Sequence, residues 1–295
     1  MGLAALGFVV WTFEDLGRRW DPNTLSVSWW LVALSTLPLA AGGLLQAWGW
    51  TLLLSRMSGK PVPWAPAIAL HVESMMARYV PGKVGLPLVR MAGAATLGVE
   101  PAVAGVSVFI EMLSFSAMGG VVGFGTLALA HGQTRGQEAL LGPWFTVLLV
   151  GFAVGVAALM FVDRKYFPKA LLRRIGAGGA GPLVPLILPL IHAAYWGTWV
   201  LHGYLMALAI GASHAAALAA AGFFPVALIA GFLALVAPAG AGVREAILSA
   251  GMAPVVGATG ALSAAVLSRI TTLVVEVSVF LLTRPLARKR HQEAR

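Results

Sequence analysis

The sequence predicts an all-α polytopic membrane protein, an inverted repeat of helix, re-entrant hairpin and helix with a linking helix between the halves. Three observations predict it. Hydrophobic residues make up 59% of the chain and charged residues 11%, with a mean hydropathy of +0.87, whereas soluble domains carry about 25% charged residues. Several apolar runs reach the roughly 20 residues needed to cross the hydrocarbon core. Two of these runs are broken by turns rich in proline and glycine: Pro81-Gly82-Lys83-Val84-Gly85 and Pro238-Ala239-Gly240-Ala241-Gly242. A broken helix frees backbone groups that lipid cannot satisfy, so such breaks occur inside protein or beside wet cavities. Two of them, in corresponding places of two halves, are the pattern of a binding site near the bilayer midplane.

Each element can be read in order. Residues 1–13 are apolar but short, lack a basic start and run into Glu14 and Asp15. They are predicted to form an abbreviated first helix and not a signal peptide. The first span is 29–55, followed by Arg56 and Lys60. The stretch 64–97 carries His71, Glu73 and Arg78 ahead of the first break, too polar for an ordinary crossing, and is predicted to be a re-entrant hairpin. A long span over 101–130 holds one acid, Glu111. A linker helix at 144–162 leads into a basic loop (Arg164, Lys165, Lys169, Arg173, Arg174) closed by the glycine-rich run 176–181. A span over 183–210 and a second hairpin over 215–248 follow. The last span, 255–283, contains Arg269 and Glu276, and a basic tail ends the chain. The organisation is one transmembrane domain, 1–295: repeat 1 over about 29–130, linker helix and basic loop over 131–182, repeat 2 over about 183–283, tail over 284–295. The short segments 97–101 and 250–254 place Gly and Pro alike ahead of the last span of each half.

A re-entrant hairpin returns to the side it entered from. Three crossings therefore separate the first span of one half from the first span of the other, and the two halves run in opposite directions. The charges agree. With Arg56 and Lys60 cytoplasmic, the 164–174 loop and the tail are cytoplasmic too, and the outer loops carry Arg135 as their only basic residue. That is the positive-inside arrangement. It predicts a multi-pass protein of the cell membrane with a cytoplasmic C-terminus, and hairpins dipping in from opposite faces.

Charges within the membrane are the candidate site residues. An isolated charge at the bilayer centre costs about 2.5–3.5 kcal/mol on insertion scales, and such residues face the protein interior or water. Arg78, Lys83 and Arg90 surround the first break, and Arg244 and Glu245 follow the second. These cations need anions: protein carboxylates (Glu111, Glu245, Glu276) or a bound anion. Arg offers a planar fork suited to phosphate and Lys a point charge. Glu111 is predicted to pair with a basic residue of a hairpin, and Glu245 to orient Arg244. Arg269 and Glu276 lie seven residues apart on one helical face, as suited to a clasp as to transport. His71, His192 and His202 are read as packing or hydrogen-bonding residues.

The remaining chemistry is bounded by what is missing from the sequence. With no cysteine there are no thiolate metal sites or disulfides. The chain shows no metal-ligand set, nucleophile elbow or nucleotide fingerprint, so no metal, cofactor or catalytic residue is expected, and the chain is read as a transporter and not an enzyme. The net charge of +9 sits mainly at helix ends, which argues for membrane topology over nucleic acid.

At the two breaks the chain resembles a known family. Residues 78–90, from Arg78 through Pro81-Gly82-Lys83-Val84-Gly85 to Arg90, are similar to the Pro-Gly-x-x-Gly…Arg signature of the lysylphosphatidylglycerol synthase transmembrane, or flippase-like, family. Residues 238–245 are similar to its later Pro-x-Gly-x-Gly-x-Arg-Glu signature, and Glu111 and Arg269 fall where members often carry an acid and an arginine. Leu86 departs from the family, where Glu is common. The resemblance covers about 29–283 and implies a stand-alone member without the aminoacyl-transferase domain. It implies movement of an anionic, phosphate-containing lipid between leaflets. Arg78, Lys83, Arg90 and Arg244 would hold the phosphate, with Glu111, Glu245 and Glu276 neutralising them when the site is empty. The alternatives are a transporter of a small soluble anion, a membrane enzyme acting on polyprenyl-phosphate-linked substrates, and a non-transporting partner subunit. An anionic membrane lipid is the expected partner, and a second copy of the chain or a separate lipid-modifying enzyme are left open.

Overall fold

The structure, a computed structural model, describes residues 18, 21, 23, 25–79, 84–130, 143–160, 163, 165, 169–174, 182, 184–234 and 240–293. The predicted helix over 1–13, the glycine-rich run 176–181, and Pro81, Gly82, Lys83 and Pro238 lie outside the described residues. Among the described residues there is no strand, only an isolated antiparallel bridge between Asp163 and Pro182. The helices are α1 (Trp29–Leu34), α2 (Thr36–Ser58), α3 (Trp64–Met76), α4 (Gly85–Gly93), α5 (Pro101–Ala130), α6 (Pro143–Met160), α7 (Lys169–Arg174), α8 (Leu188–Ala209), α9 (His214–Ala221), α10 (Phe223–Leu233) and α11 (Val243–Glu293). Short 3-10 turns, Ala77–Tyr79 and Ala94–Leu97, follow α3 and α4.

Among the described residues, four stretches are long and apolar enough to cross a membrane: Trp29–Ser58, Pro101–Ala130, His214–Leu233 and Val243–Thr283. The protein is an all-α, multi-pass membrane protein. Its long helices expose large apolar side chains such as Phe109 and Leu113 on α5, and Ile270 and Val274 on α11. A helix apolar on every face is one that meets lipid or core all round.

The sequence boundaries hold at α5, where Pro101 opens the helix, a place where its missing N–H costs nothing. They move elsewhere. The predicted 183–210 span begins only at Leu188, behind Pro185, because the residue before a proline is pushed out of helical geometry. The predicted connector 250–254 is a correction. It is helical, Pro254 lies within α11, and the interruption falls at Gly257 (φ 77°, ψ 164°). Proline removes one backbone hydrogen bond, and the glycine three residues on takes up the distortion.

The described chain divides into two compact units. Unit I comprises 1–42, 119–152 and 196–275, and unit II comprises 43–118, 153–195 and 276–295. Each holds one of the two broken segments. In unit II, Trp50, Leu53, Leu54 and Met57 of α2 form a core with Leu70 of α3 and Leu97. A side chain at Gly93 would collide with Leu70, and one at Gly85 would come 2.6 Å from the Ala77 carbonyl oxygen. The two arms of this hairpin are therefore in close contact, and α3 and α4, at 13 and 9 residues, are each too short to span a bilayer. In unit I, Ser213 caps α9 by accepting from the Ala216 N–H. The Cα of Gly240 (φ 70°) approaches Gly231 so closely that a Cβ at residue 240 would sit 2.7 Å from the Gly231 Cα. Only glycine accepts both that conformation and that approach. Gly119 and Gly251 make room for Trp196 and Phe223, the small-against-large packing typical of membrane helices.

Candidate functional site

Each unit buries one arginine against a tryptophan. In unit II, α4 carries Arg90 into a site with no solvent exposure. Its guanidinium carbon lies 4.3 Å from the centroid of the Trp50 ring on α2. Nε donates to Ser74 Oγ at 3.0 Å, one terminal nitrogen donates to His71 Nδ1 at 2.8 Å, and the other pairs with Glu111 of α5. Arginine has only donors, so His71 Nδ1 is the acceptor and its proton sits on Nε2. Ser74 in turn donates to the His71 carbonyl at 2.6 Å, and Trp50 Nε1 donates to Ser107 Oγ at 2.9 Å. Four helices thus meet on one guanidinium. Removing two charges from water costs several kcal/mol per ion, and only dense hydrogen bonding offsets it. One atom is left over: Glu111 Oε1 is buried without a hydrogen-bond partner, 4.0 Å from His71 Nδ1.

In unit I, the first turn of α11 carries Arg244, 2% exposed. Its guanidinium carbon is 5.1 Å from the Trp199 ring centroid on α8. It donates to Ser268 Oγ at 2.7 Å and, weakly, to Thr272 Oγ1 at 3.5 Å. Ser268 Oγ lies 2.9 Å from His202 Nε2, and His202 Nδ1 lies 3.0 Å from the Ser35 carbonyl oxygen. A carbonyl only accepts, so Nδ1 carries the proton, Nε2 accepts, and the Ser268 hydroxyl donates to it. The chain of hydrogen bonds has one direction: Arg244 to Ser268, Ser268 to His202, His202 to the end of α1.

Two further ion pairs flank these sites. In unit II, Arg78 pairs with Glu276, and Tyr79 Oη donates to the same carboxylate at 2.7 Å. In unit I, Arg269 Nε lies 3.0 Å from Glu245 Oε1, while Glu245 Oε2 accepts from the Gly242 N–H at 2.8 Å. That second bond satisfies a free donor at the start of α11, in the manner of a capping box.

The expected pairing of Glu111 with a hairpin cation is present, and the cation is Arg90. One expectation needs correction. Glu245 turns to Arg269 and the Gly242 amide instead of orienting Arg244, because the start of α11 has unmet N–H donors that draw it back. Arg269 and Glu276 each pair with a residue of a different broken segment. Lys83 lies outside the described residues. Sequence reasoning missed Trp50, Trp199, Ser74 and Ser268, and the hydrogen-bonding role read for His71 and His202 is present, without their having been placed beside the arginines. The available signal was the presence of polar side chains inside apolar runs, which in a bilayer must face protein.

The family described as the lysylphosphatidylglycerol synthase TM region matches residues 1–279. No curated protein matches the chain. Matched along almost its whole length, the chain belongs to the lysylphosphatidylglycerol synthase transmembrane-region family, whose membrane part is flippase-like and related to lipid.

Proposed function

We propose that the protein moves a lipid with an anionic phosphate headgroup between the leaflets of the cell membrane, and that it is a translocase and not an enzyme. The observation that carries this reading is the pair of buried arginines, Arg90 and Arg244, each held against a tryptophan ring. A guanidinium stacked on an aromatic face keeps its donors in one plane, and two parallel N–H groups match a phosphate. In the empty protein Glu111 neutralises Arg90. An arriving phosphate competes with that carboxylate for the Arg90 guanidinium. Arg78, Lys83 and Arg244 complete the phosphate path, and Glu245 and Glu276 keep Arg269 and Arg78 in place. The halves run as an inverted repeat, each giving one tryptophan from its first span and one arginine from the arm after its break. The C-terminus is cytoplasmic. The lipid gradient, a proton or the membrane potential supplies the drive, the last worth about 2.3 kcal/mol per charge per 100 mV.

The test is leaflet exchange of a labelled anionic phospholipid in vesicles holding the purified protein. The Arg78→Gln, Arg244→Gln double variant is expected to lose most of the exchange while keeping its helical circular dichroism. Undiminished exchange in that variant would overturn the reading.

A further inference from the structure

A groove away from both arginine sites has a different character. It lies in unit II and has a volume of about 460 Å³. Leu52, Ser55, Arg56 and Lys60 line it from the end of α2 and the turn beyond, and Pro185 and Ile187 from the lead into α8. One part is cationic. The Arg56 Nε donates to the Pro182 carbonyl at 2.9 Å, which fixes the guanidinium. The Val62 N–H donates to Ser55 Oγ at 3.1 Å, folding the segment that carries Lys60 back toward α2. The other part is apolar, formed by Leu52, Pro185 and Ile187, and Ile187 is 46% exposed.

Helix ends do not cancel this charge. The groove meets the C-terminus of α2 and the N-terminus of α8, which carry opposite partial charges of about half a unit. These offset each other and leave the two formal cations. The same Pro182 that holds Arg56 bridges to Asp163, so both ends of the basic loop are pinned here, and its Lys165, Lys169 and Arg173 are exposed.

We propose that this groove binds an anionic glycerophospholipid of the surrounding bilayer, its phosphate on Arg56 and Lys60 and the start of an acyl chain along Leu52, Pro185 and Ile187. A soluble phosphate would use only the cationic end and leave the apolar wall wet. A zwitterionic lipid would bring its own cation toward Arg56 and Lys60. Basic pockets between helices at the membrane surface hold anionic headgroups on this principle. The site does not depend on the translocation reading, since a protein that moved no lipid would still hold one here.

Native mass spectrometry of the purified full chain, titrated with phosphatidylglycerol or with phosphatidylcholine of the same acyl chains, tests the proposal. The wild type is expected to retain phosphatidylglycerol preferentially. Arg56→Gln with Lys60→Gln weakens it about thirtyfold, as the loss of two interfacial charges requires. Leu52→Trp fills the groove with both charges kept and is also expected to weaken it. Because Arg56 supports the Pro182 backbone, Lys60→Gln alone decides the matter if the double variant fails to fold, and an intermediate loss is expected. Retention unchanged by Lys60→Gln or by Leu52→Trp overturns the proposal. So does equal retention of phosphatidylcholine, or displacement of the lipid by millimolar inorganic phosphate, which would make this a site for a free anion.

Discussion

Arg90 and Arg244 are buried to nearly the same degree and both lie against a tryptophan, yet their surroundings differ. Arg90 meets a carboxylate, a serine hydroxyl and a histidine nitrogen, drawn from α3 and α5. Arg244 donates to two hydroxyls on α11, and the acid beside it in sequence is engaged with Arg269. A carboxylate competes with any phosphate that approaches the same guanidinium. A hydroxyl does not compete, because it accepts weakly and can turn to donate. The carboxylate on Arg90 is thus a competitor for any arriving anion, whereas the Ser268 and Thr272 hydroxyls on Arg244 are not.

The largest expected effect follows from the Arg90–Glu111 pair. Arg90→Ala leaves Glu111 buried without its cation and is expected to destabilise the protein by about 3–5 kcal/mol. Thermal unfolding in detergent would show it as a large drop in Tm. Replacing both partners, Arg90→Met with Glu111→Leu, removes the stranded charge and is expected to restore much of the loss, although His71 and Ser74 keep unmet groups. A double variant as unstable as Arg90→Ala would mean that the packing of the arginine stem, not charge, decides stability there.

How far the sequence carried the reading can be judged from these same residues. A lone acid within the apolar run 101–130 had to find a cation, and the nearby hairpin offered the nearest ones. That Glu111 pairs with a cation of a hairpin was therefore legible, but not that the cation is Arg90. Span α5 was legible because a proline and a long unbroken apolar run define its start and extent. Trp50, Trp199, Ser74 and Ser268 were not legible as site residues. Tryptophans and serines are scattered along this chain, and which of them reaches a guanidinium depends on how helices pack, to which periodicity is blind.

The Arg244 site should respond more mildly. Among its contacts Arg244→Ala loses hydrogen bonds to Ser268 and Thr272 and a cation–π contact worth up to about 2 kcal/mol when desolvated. A loss of about 1–3 kcal/mol is expected, below that of Arg90→Ala. Ser268→Ala cuts the link between Arg244 and His202. Hydrogen bonds between membrane helices average about 0.6 kcal/mol, with the strongest near 1.7. The serine serves two partners, so the upper part of that range is expected. Equal losses for Arg90→Ala and Arg244→Ala would erase the distinction between the two arginine sites.

The smallest effect is expected at the less buried ion pair. Arg78 and Glu276 have side chains 33% and 17% exposed, and exposed ion pairs contribute about 0.2–1 kcal/mol. Tyr79 adds a hydrogen bond to the same carboxylate, so Glu276→Gln, which keeps the acceptor oxygen and loses the charge, should cost less than about 1 kcal/mol. Raising the salt concentration should shrink even that difference, since accessible charges are screened over about 8–10 Å at ordinary ionic strength. The Arg90–Glu111 pair, sealed from solvent, should show no such salt dependence. Measuring both pairs across one salt series separates them cleanly. A salt-sensitive Arg90 site would mean that water and ions reach its guanidinium, and the Arg90–Glu111 pair would then stand open to exchange even in the empty protein.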